Sequence, residues 1–114
     1  MAKNVTIYHN PKCTTSQNVL AMIEASGAKA NVVEYLKTGW TKKQLKELFA
    51  AAGVTAREAM RKKAAEDLGI SAKATDAQIL DAMVEHPVLV ERPFVVSAKG
   101  TVLARPKERA QEVL

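Results

Sequence analysis

Residues 5–16 read VTIYHNPKCTTS, and this stretch decides the fold because the spacing of its apolar residues changes within it. Apolar and polar side chains alternate over residues 4–9, in a run rich in β-branched residues, which predicts a β-strand. Beyond Cys13 the apolar residues recur at helical spacing, and a helix is predicted with one apolar face. That face comprises Val19, Leu20, Met22 and Ile23. Cys13, the only cysteine of the chain, therefore lies where a strand gives way to a helix.

A cysteine at the start of a helix is in surroundings that favour its thiolate. The first turn of a helix has unpaired backbone N–H groups and a partial positive charge. In such places the thiol pKa falls from about 8.5 to roughly 3.5–7.5. Cys13 is therefore the candidate nucleophile, and the alternative is a buried cysteine that acts only as a small apolar side chain.

The elements around Cys13 predict an α/β fold. Residues 31–36 form a second predicted strand after a helix that ends near Gly27, and such a βαβ unit has parallel strands. Residues 94–98 and 101–104 predict a β-hairpin with Gly100 in its turn. Cys13 then lies at the carboxyl end of a strand, where open α/β sheets bind ligands.

The middle of the chain is predicted to be helical, and residues 37–40 form a loop before it. Residues 62–74 show no regular pattern, and Pro106 is expected in the first turn of a closing helix that runs through Val113. We therefore expect one domain over residues 1–114, with a thioredoxin- or glutaredoxin-like mixed sheet and a helical insertion. Capping-box patterns mark three helix starts, at Thr41 with Gln44, Thr55 with Glu58, and Thr75 with Gln78.

Composition excludes several classes of function. The net charge of +5 would suit an anionic partner, but aromatic residues make up only 4%, so the stacking surfaces of nucleic-acid binders are not expected. One cysteine with two histidines is a poor zinc set, and no metal is expected. No segment has transmembrane length, and Met1-Ala2-Lys3-Asn4 lacks an apolar leader, so a cytoplasmic protein is expected. The absence of a heptad pattern predicts a monomer.

Three arginines lie at ends of predicted elements, namely Arg61, Arg92 and Arg105, and the last two precede prolines. The planar guanidinium group binds tetrahedral oxyanions in a bidentate manner, so arginines that converge on a thiolate would bind arsenate, phosphate or sulfate-like groups. For any one arginine the alternative is a solvated surface charge. Four polar residues beside Cys13 can donate hydrogen bonds around the thiolate or be ordinary turn and cap residues; they are Asn10, Thr14, Thr15 and Ser16. Of these, Asn10, Thr14 and Ser16 are predicted to bind substrate.

His9 has three alternative roles at this stage. It could be a catalytic acid or base, a cation that lowers the thiol pKa, or a strand-end residue bonded to backbone. Position 16 is a serine, where a dithiol oxidoreductase has its second cysteine, so Cys13 cannot resolve its own mixed disulfide. Turnover at Cys13 would therefore need an external thiol.

Three segments together resemble the glutaredoxin-coupled arsenate reductase family: YHNPKCTTS at residues 8–16, REAMRK at 57–62 and ERPFVV at 91–96. The resemblance implies a thioredoxin-like fold with a helical insert. It also implies that Cys13 is the nucleophile and that His9 lowers the thiol pKa. It places the oxyanion-binding arginines at Arg61, Arg92 and Arg105, and a cis peptide bond at Pro93.

The resemblance further implies reduction of arsenate to arsenite, with glutathione as co-substrate, glutaredoxin as transient partner and no tightly bound cofactor. Two alternatives stay open: an Spx-like regulator that binds RNA polymerase, and a thiol enzyme acting on another oxyanion or thiol substrate. The regulators use a Cys-x-x-Cys switch, which Ser16 removes here. The chain departs from the family pattern at Gln17, where an arginine is usual, and by its early end at Leu114.

Overall fold

The computed structural model describes residues 4–114, and contacts among them divide the chain into two compact units. The first, the sheet unit, comprises residues 4–38 and 92–114; the second, the helical unit, comprises residues 39–91. The expectation of one domain over residues 1–114 stays a prediction. The leader prediction concerned Met1-Ala2-Lys3-Asn4, of which only Asn4 is among the described residues.

The sheet unit contains a four-stranded mixed sheet, in the order β2-β1-β3-β4. The central pair, β1 and β3, is antiparallel, as is the hairpin β3–β4, whereas β1 and β2 are parallel. The predicted thioredoxin-like mixed sheet, its βαβ unit and its hairpin are thus confirmed. Gly100, predicted in the hairpin turn, is instead the first residue of the last strand and pairs with Ser97, and the turn is at residues 98–99. The strands are β1 (Asn4–Tyr8), β2 (Lys29–Val33), β3 (Phe94–Ser97) and β4 (Gly100–Leu103).

Helix α1 (Thr14–Ala25) connects β1 to β2 and packs its apolar face on the sheet. Val19 and Ile23, one helical turn apart, are fully buried there, as the apolar spacing predicts. The closing segment Lys107–Val113 is a 3₁₀ helix that joins the same core. That core comprises Val5, Ile7, Val19, Ile23, Val95, Val102, Ala104, Ala110 and Val113.

The second strand was predicted at residues 31–36, and this prediction is wrong at both ends. Strand β2 covers Lys29–Val33, and its pairing with β1 ends at Tyr8 and Val33. The chain then turns into a one-turn helix, α2 (Tyr35–Thr38), so part of the predicted loop at residues 37–40 is helical. The Glu34 carbonyl accepts the N–H groups of Lys37 and Thr38, which starts this turn.

The closing helix is present but differs from the prediction in its start. Pro106 does not occupy the first turn, because its ψ of 162° is extended, and the 3₁₀ helix begins at the following residue. The bond before it, between Arg105 and Pro106, is cis, and the sequence did not indicate this.

The helical unit contains α3 (Lys42–Ala52), α4 (Lys62–Leu68), α5 (Asp76–Glu85) and the 3₁₀ turn Pro87–Leu89. The capping boxes at Thr41 and Thr75 are confirmed, with both reciprocal hydrogen bonds present in each. The third box, at Thr55, makes the same two bonds with Glu58 but closes a turn over residues 56–59, so the predicted helix there is wrong. A capping box closes only the first turn, and the first turn of a helix is unfavourable without further turns to extend it.

Helix α4 was not predicted, and its composition explains why. Its buried residues are Ala64 and Ala65, which give little hydrophobic contrast with their neighbours. Its N-cap, Arg61, makes no side-chain cap hydrogen bond, so the usual start signal is also missing. Only its end is marked, by Gly69 in the left-handed region at φ 68°.

Candidate active site

Cys13 is the N-cap residue of α1. Four residues before it, the His9 N–H donates to the carbonyl of Val33, the last residue of β2. Its N–H donates to the Asn10 carbonyl at 3.0 Å, and its own carbonyl accepts the Gln17 N–H at 2.9 Å. The side chain is largely buried, with 9% of the residue exposed. The loop and the first turn of the helix therefore hold the cysteine backbone on both sides.

The surroundings of Cys13 favour its thiolate. Burial of the sulfur raises the pKa of Cys13 and is the largest single influence on it. Four smaller interactions lower the pKa, and together they leave it below its ordinary value. Two are hydrogen bonds from the backbone N–H groups of Ser16 and Thr15; the others are the charge of Arg92 and a hydrogen bond from its guanidinium group. The neutral side chain makes no cap hydrogen bond of strict geometry, so these N–H groups matter chiefly for the thiolate.

Sheet topology explains why Arg92 lies at this thiol. Strand β3 runs antiparallel to β1, with Phe94 opposite Tyr8, so the residues just before β3 lie at the edge where β1 ends. Arg92 and Pro93 occupy that position, and the bond between them is cis, the geometry that the resemblance implied. The apolar run of β3 thereby fixes the position of a charged side chain beside Cys13.

Arg105 reaches the same edge from the other side of the hairpin. Strand β4 ends at Leu103, opposite Phe94, and Arg105 follows two residues later. Its Nη1 donates to the Arg92 carbonyl oxygen at 3.1 Å, while its side chain stays exposed. Two of the three predicted arginines, Arg92 and Arg105, are therefore neighbours at one edge of the sheet.

Arg61 belongs to the helical unit, where it immediately precedes α4. Its N–H donates to the Leu89 carbonyl at 2.8 Å and its side chain is half-buried. Its assignment as an oxyanion ligand stays a prediction.

His9 and Ser16 form a buried polar contact beneath the loop. Ser16 Oγ lies 2.6 Å from His9 Nδ1 and accepts the Asn10 N–H at 3.1 Å. Burial lowers the pKa of His9 below its ordinary value, and the negative charge of Glu34 offsets this only in part. Burial thus favours the neutral form of the His9 ring. A role of His9 in lowering the pKa of Cys13 stays a prediction.

The remaining predicted ligands differ in what their side chains already contact. Asn10 Oδ1 accepts the Lys12 N–H at 3.0 Å, which closes the turn before Cys13. Thr14 is exposed on the first turn of α1. Their roles in substrate binding stay predictions.

Thr15 and Gln17 complete the surroundings of Cys13, the first as one of the hydrogen-bond donors that the sequence suggested around the thiolate. Thr15 contributes through its backbone N–H, as its position two residues after the N-cap indicates. Gln17 Nε2 donates to the Pro11 carbonyl, so the residue that departs from the family pattern ties the first turn of α1 to the loop.

In the part of the chain that the structure describes, a cavity lies away from Cys13, and no cluster of side chains suits a metal ion. A cavity of about 540 Å³ in the sheet unit is lined by residues at the opposite end of β1, including Val5, Ser26 and Lys99. It contains none of the predicted site residues, and we place the chemistry at Cys13 because the charged groups converge there. Over residues 4–114 no group of three His, Cys, Asp or Glu side chains could hold a metal ion. None of the helices in that range is long and apolar enough to cross a bilayer.

Comparisons with known proteins agree on one family. Residues 8–113 match the profile of the ArsC family. Arsenate reductase ArsI2 of Synechocystis is 54% identical over 113 residues, which cover 96% of this chain and 81% of the relative. Arsenate reductase of Escherichia coli K12 is 44% identical over 114 residues, covering 97% and 81%. Among solved structures, arsenate reductase from Vibrio cholerae superposes with a TM-score of 0.92 at 37% identity, covering all of both chains.

Proposed function

This chain belongs to the ArsC family, and from that membership we propose that it reduces arsenate to arsenite, with Cys13 as nucleophile and glutathione and glutaredoxin as reductants. The observation that carries the proposal is the lowered thiol pKa of Cys13, at a helix start and beside the Arg92 guanidinium group. A thiolate with adjacent cationic donors is suited to attack a tetrahedral oxyanion.

In the proposed first step the Cys13 thiolate attacks arsenic and a sulfur–arsenic bond forms. One arsenate oxygen, after protonation, leaves as water. Arg92 neutralises charge on the remaining oxygens, and Arg105, anchored on the Arg92 carbonyl, provides a second guanidinium group at the same edge. Arsenic is still pentavalent at the end of this step.

Reduction follows with two external thiols. Glutathione replaces another arsenic-bound oxygen as water, which gives arsenic bonded to two sulfurs. A glutaredoxin thiolate then attacks the glutathione sulfur, the sulfur–arsenic bond breaks, and its electron pair stays on arsenic, which becomes trivalent. Hydrolysis of the Cys13–arsenic bond releases arsenite and restores the thiol. The external thiols are required because Cys13 is the only cysteine of the chain.

The test is arsenite formation from arsenate, measured with glutathione and glutaredoxin present together and with each omitted. We expect turnover that needs both thiol components and is lost in Cys13→Ser. Turnover by Cys13→Ser, or turnover supported by a dithiol alone, would contradict the proposed cycle. If the folded wild type gives no arsenite, arsenate is the wrong substrate for this chain. Arsenite formation by Gln17→Arg would then show that the missing positive charge accounts for the lack of turnover.

A further inference from the structure

Ser16 is the most enclosed polar residue at this site. It lies in the first turn of α1 with 0% of its surface exposed, whereas Thr14 in the same turn is exposed. Its residue type and its place beside Cys13 led to its prediction as a substrate ligand. A side chain without exposed surface contacts a substrate only if the first turn opens.

The Ser16 hydroxyl has a complete set of partners within the described residues. A hydroxyl has one hydrogen to donate and lone pairs to accept with. The Asn10 N–H donates to Ser16 Oγ, and the other hydrogen-bond contact of this oxygen among residues 4–114 is with His9 Nδ1. Because buried donors are nearly always paired, the hydroxyl donates to Nδ1, at 2.6 Å.

We propose that Ser16 is a positioning residue for Cys13: its hydroxyl joins the His9 ring to the Asn10 backbone, and this junction holds closed the loop that presents the thiol. The inference rests on the proposed function only in taking Cys13 as the nucleophile.

The contacts of the loop show how the junction acts on Cys13. His9 is anchored to β2 through its N–H, which donates to the Val33 carbonyl at 2.8 Å. Asn10 in turn accepts the Cys13 N–H. Ser16 therefore connects the end of the strand to the helix turn on both sides of the cysteine, and the same residue supplies a backbone N–H to the thiolate.

The junction also determines the state of the His9 ring. If Nδ1 accepts from Ser16, the proton of the neutral ring is on Nε2. A protonated ring would have to donate from Nδ1 as well, and Ser16 would then face two donors with no acceptor for its own hydrogen. Burial of the ring acts in the same direction and lowers the pKa of His9. A charge that stabilises the thiolate is supplied by Arg92.

The first experiment reads the ring directly in the wild-type protein, so it does not depend on the folding of any variant. Ring ¹⁵N chemical shifts at pH 7.5 distinguish a protonated Nε2 from a protonated Nδ1. The chain has two histidines, and His86→Gln assigns the signals. We expect His9 as the Nε2–H tautomer, and an Nδ1–H tautomer or an imidazolium would overturn the proposal.

The second experiment compares alkylation of Cys13 by iodoacetamide at pH 7 in Ser16→Ala and in a matched control. Ser26→Ala removes another serine hydroxyl bond near the same helix, 2.6 Å to the Ile23 carbonyl, but at the end far from Cys13. We expect Ser16→Ala to slow alkylation by about 3- to 10-fold, the equivalent of one lost buried hydrogen bond, and Ser26→Ala to leave it unchanged. Equal rates in all three proteins would overturn the proposal.

A rescue series separates positioning from general stability. His9→Asn retains a polar group near the place of Nδ1, whereas His9→Gln places it near Nε2. If the Ser16 contact matters, the alkylation rate of His9→Asn is closer to that of the wild type than the rate of His9→Gln, at equal unfolding temperature. The reverse order contradicts the proposal. A Ser16→Ala variant that alkylates normally but has a raised KM for arsenate would make Ser16 a ligand instead. Because alkylation needs no arsenate, failure of this inference is distinguishable from failure of the proposed function.

Discussion

Replacement of Arg92 by glutamine should reduce turnover far more than any other single arginine change in the sheet unit. Arg92 acts on the Cys13 thiolate twice, through its charge and through a hydrogen bond, while the other favourable contacts are backbone N–H groups that a substitution leaves in place. We therefore expect the thiol pKa to rise in Arg92→Gln, because the two guanidinium contributions disappear and burial of the sulfur persists.

The magnitude follows from the kind of contact that is lost. A hydrogen bond to a charged group contributes about 1.5–3 kcal/mol. If Arg92 makes this contact in the transition state, kcat/KM for arsenate falls by about 10- to 150-fold. Arg92→Lys keeps the charge but not the planar, bidentate donor, so we expect a loss between those of the wild type and Arg92→Gln.

The assay has two parts, so that the thiol and the substrate are tested separately. Arsenite formation gives kcat/KM, and the pH dependence of Cys13 alkylation gives the thiol pKa. Arg109→Gln is the matched control, because this arginine lies in the same unit, is exposed and pairs with Glu112 at 3.2 Å away from the thiol. An unchanged thiol pKa in Arg92→Gln, or a loss of activity equal to that of Arg109→Gln, would refute the reasoning.

Three further predictions concern stability. The folded state disfavours protonated His9, because burial lowers its pKa more than Glu34 raises it. As the pH falls below the ordinary value of 6.5, the unfolded chain binds that proton first, so the free energy of unfolding in urea should decrease, and His9→Asn should weaken this dependence. Thr75→Ala removes a complete capping box and should cost about 1 kcal/mol in the same assay, whereas an unchanged midpoint would show that the box is redundant. Ile7→Ala, in the buried central strand, should cost about 2–5 kcal/mol, while Val32→Ala, at a position 45% exposed, should cost much less; equal losses would contradict the assigned core.

Much of the fold could be predicted because its signals are local. The change of period around Cys13 located β1 and α1, and Gly100 indicated the hairpin, although it is the first residue of β4. Helix α4 was not predicted because it buries alanines. Thr55 gave a helix start signal, but the chain forms only a turn there.

The site was predictable in its residues but not in its contacts. Cys13, Arg92 and Arg105 follow from motif and position, and the strand register brings them to one edge. The contacts of His9 with Ser16, and of Arg105 with the Arg92 carbonyl, depend on how side chains turn inside a folded loop. Sequence spacing carries no information about that choice, and the assignment of Ser16 as a ligand stays a prediction.

The discontinuity of the sheet unit has a consequence during protein synthesis. Strands β1 and β2 leave the ribosome early, whereas β3, β4 and the arginines at their ends follow only after all of residues 39–91. Chains emerge from the amino end, so the nascent protein exposes Cys13 before the groups that surround it exist. During that interval the thiol lacks the guanidinium that favours its ionisation. The order of synthesis thus separates in time the nucleophile from the guanidinium group that acts on it.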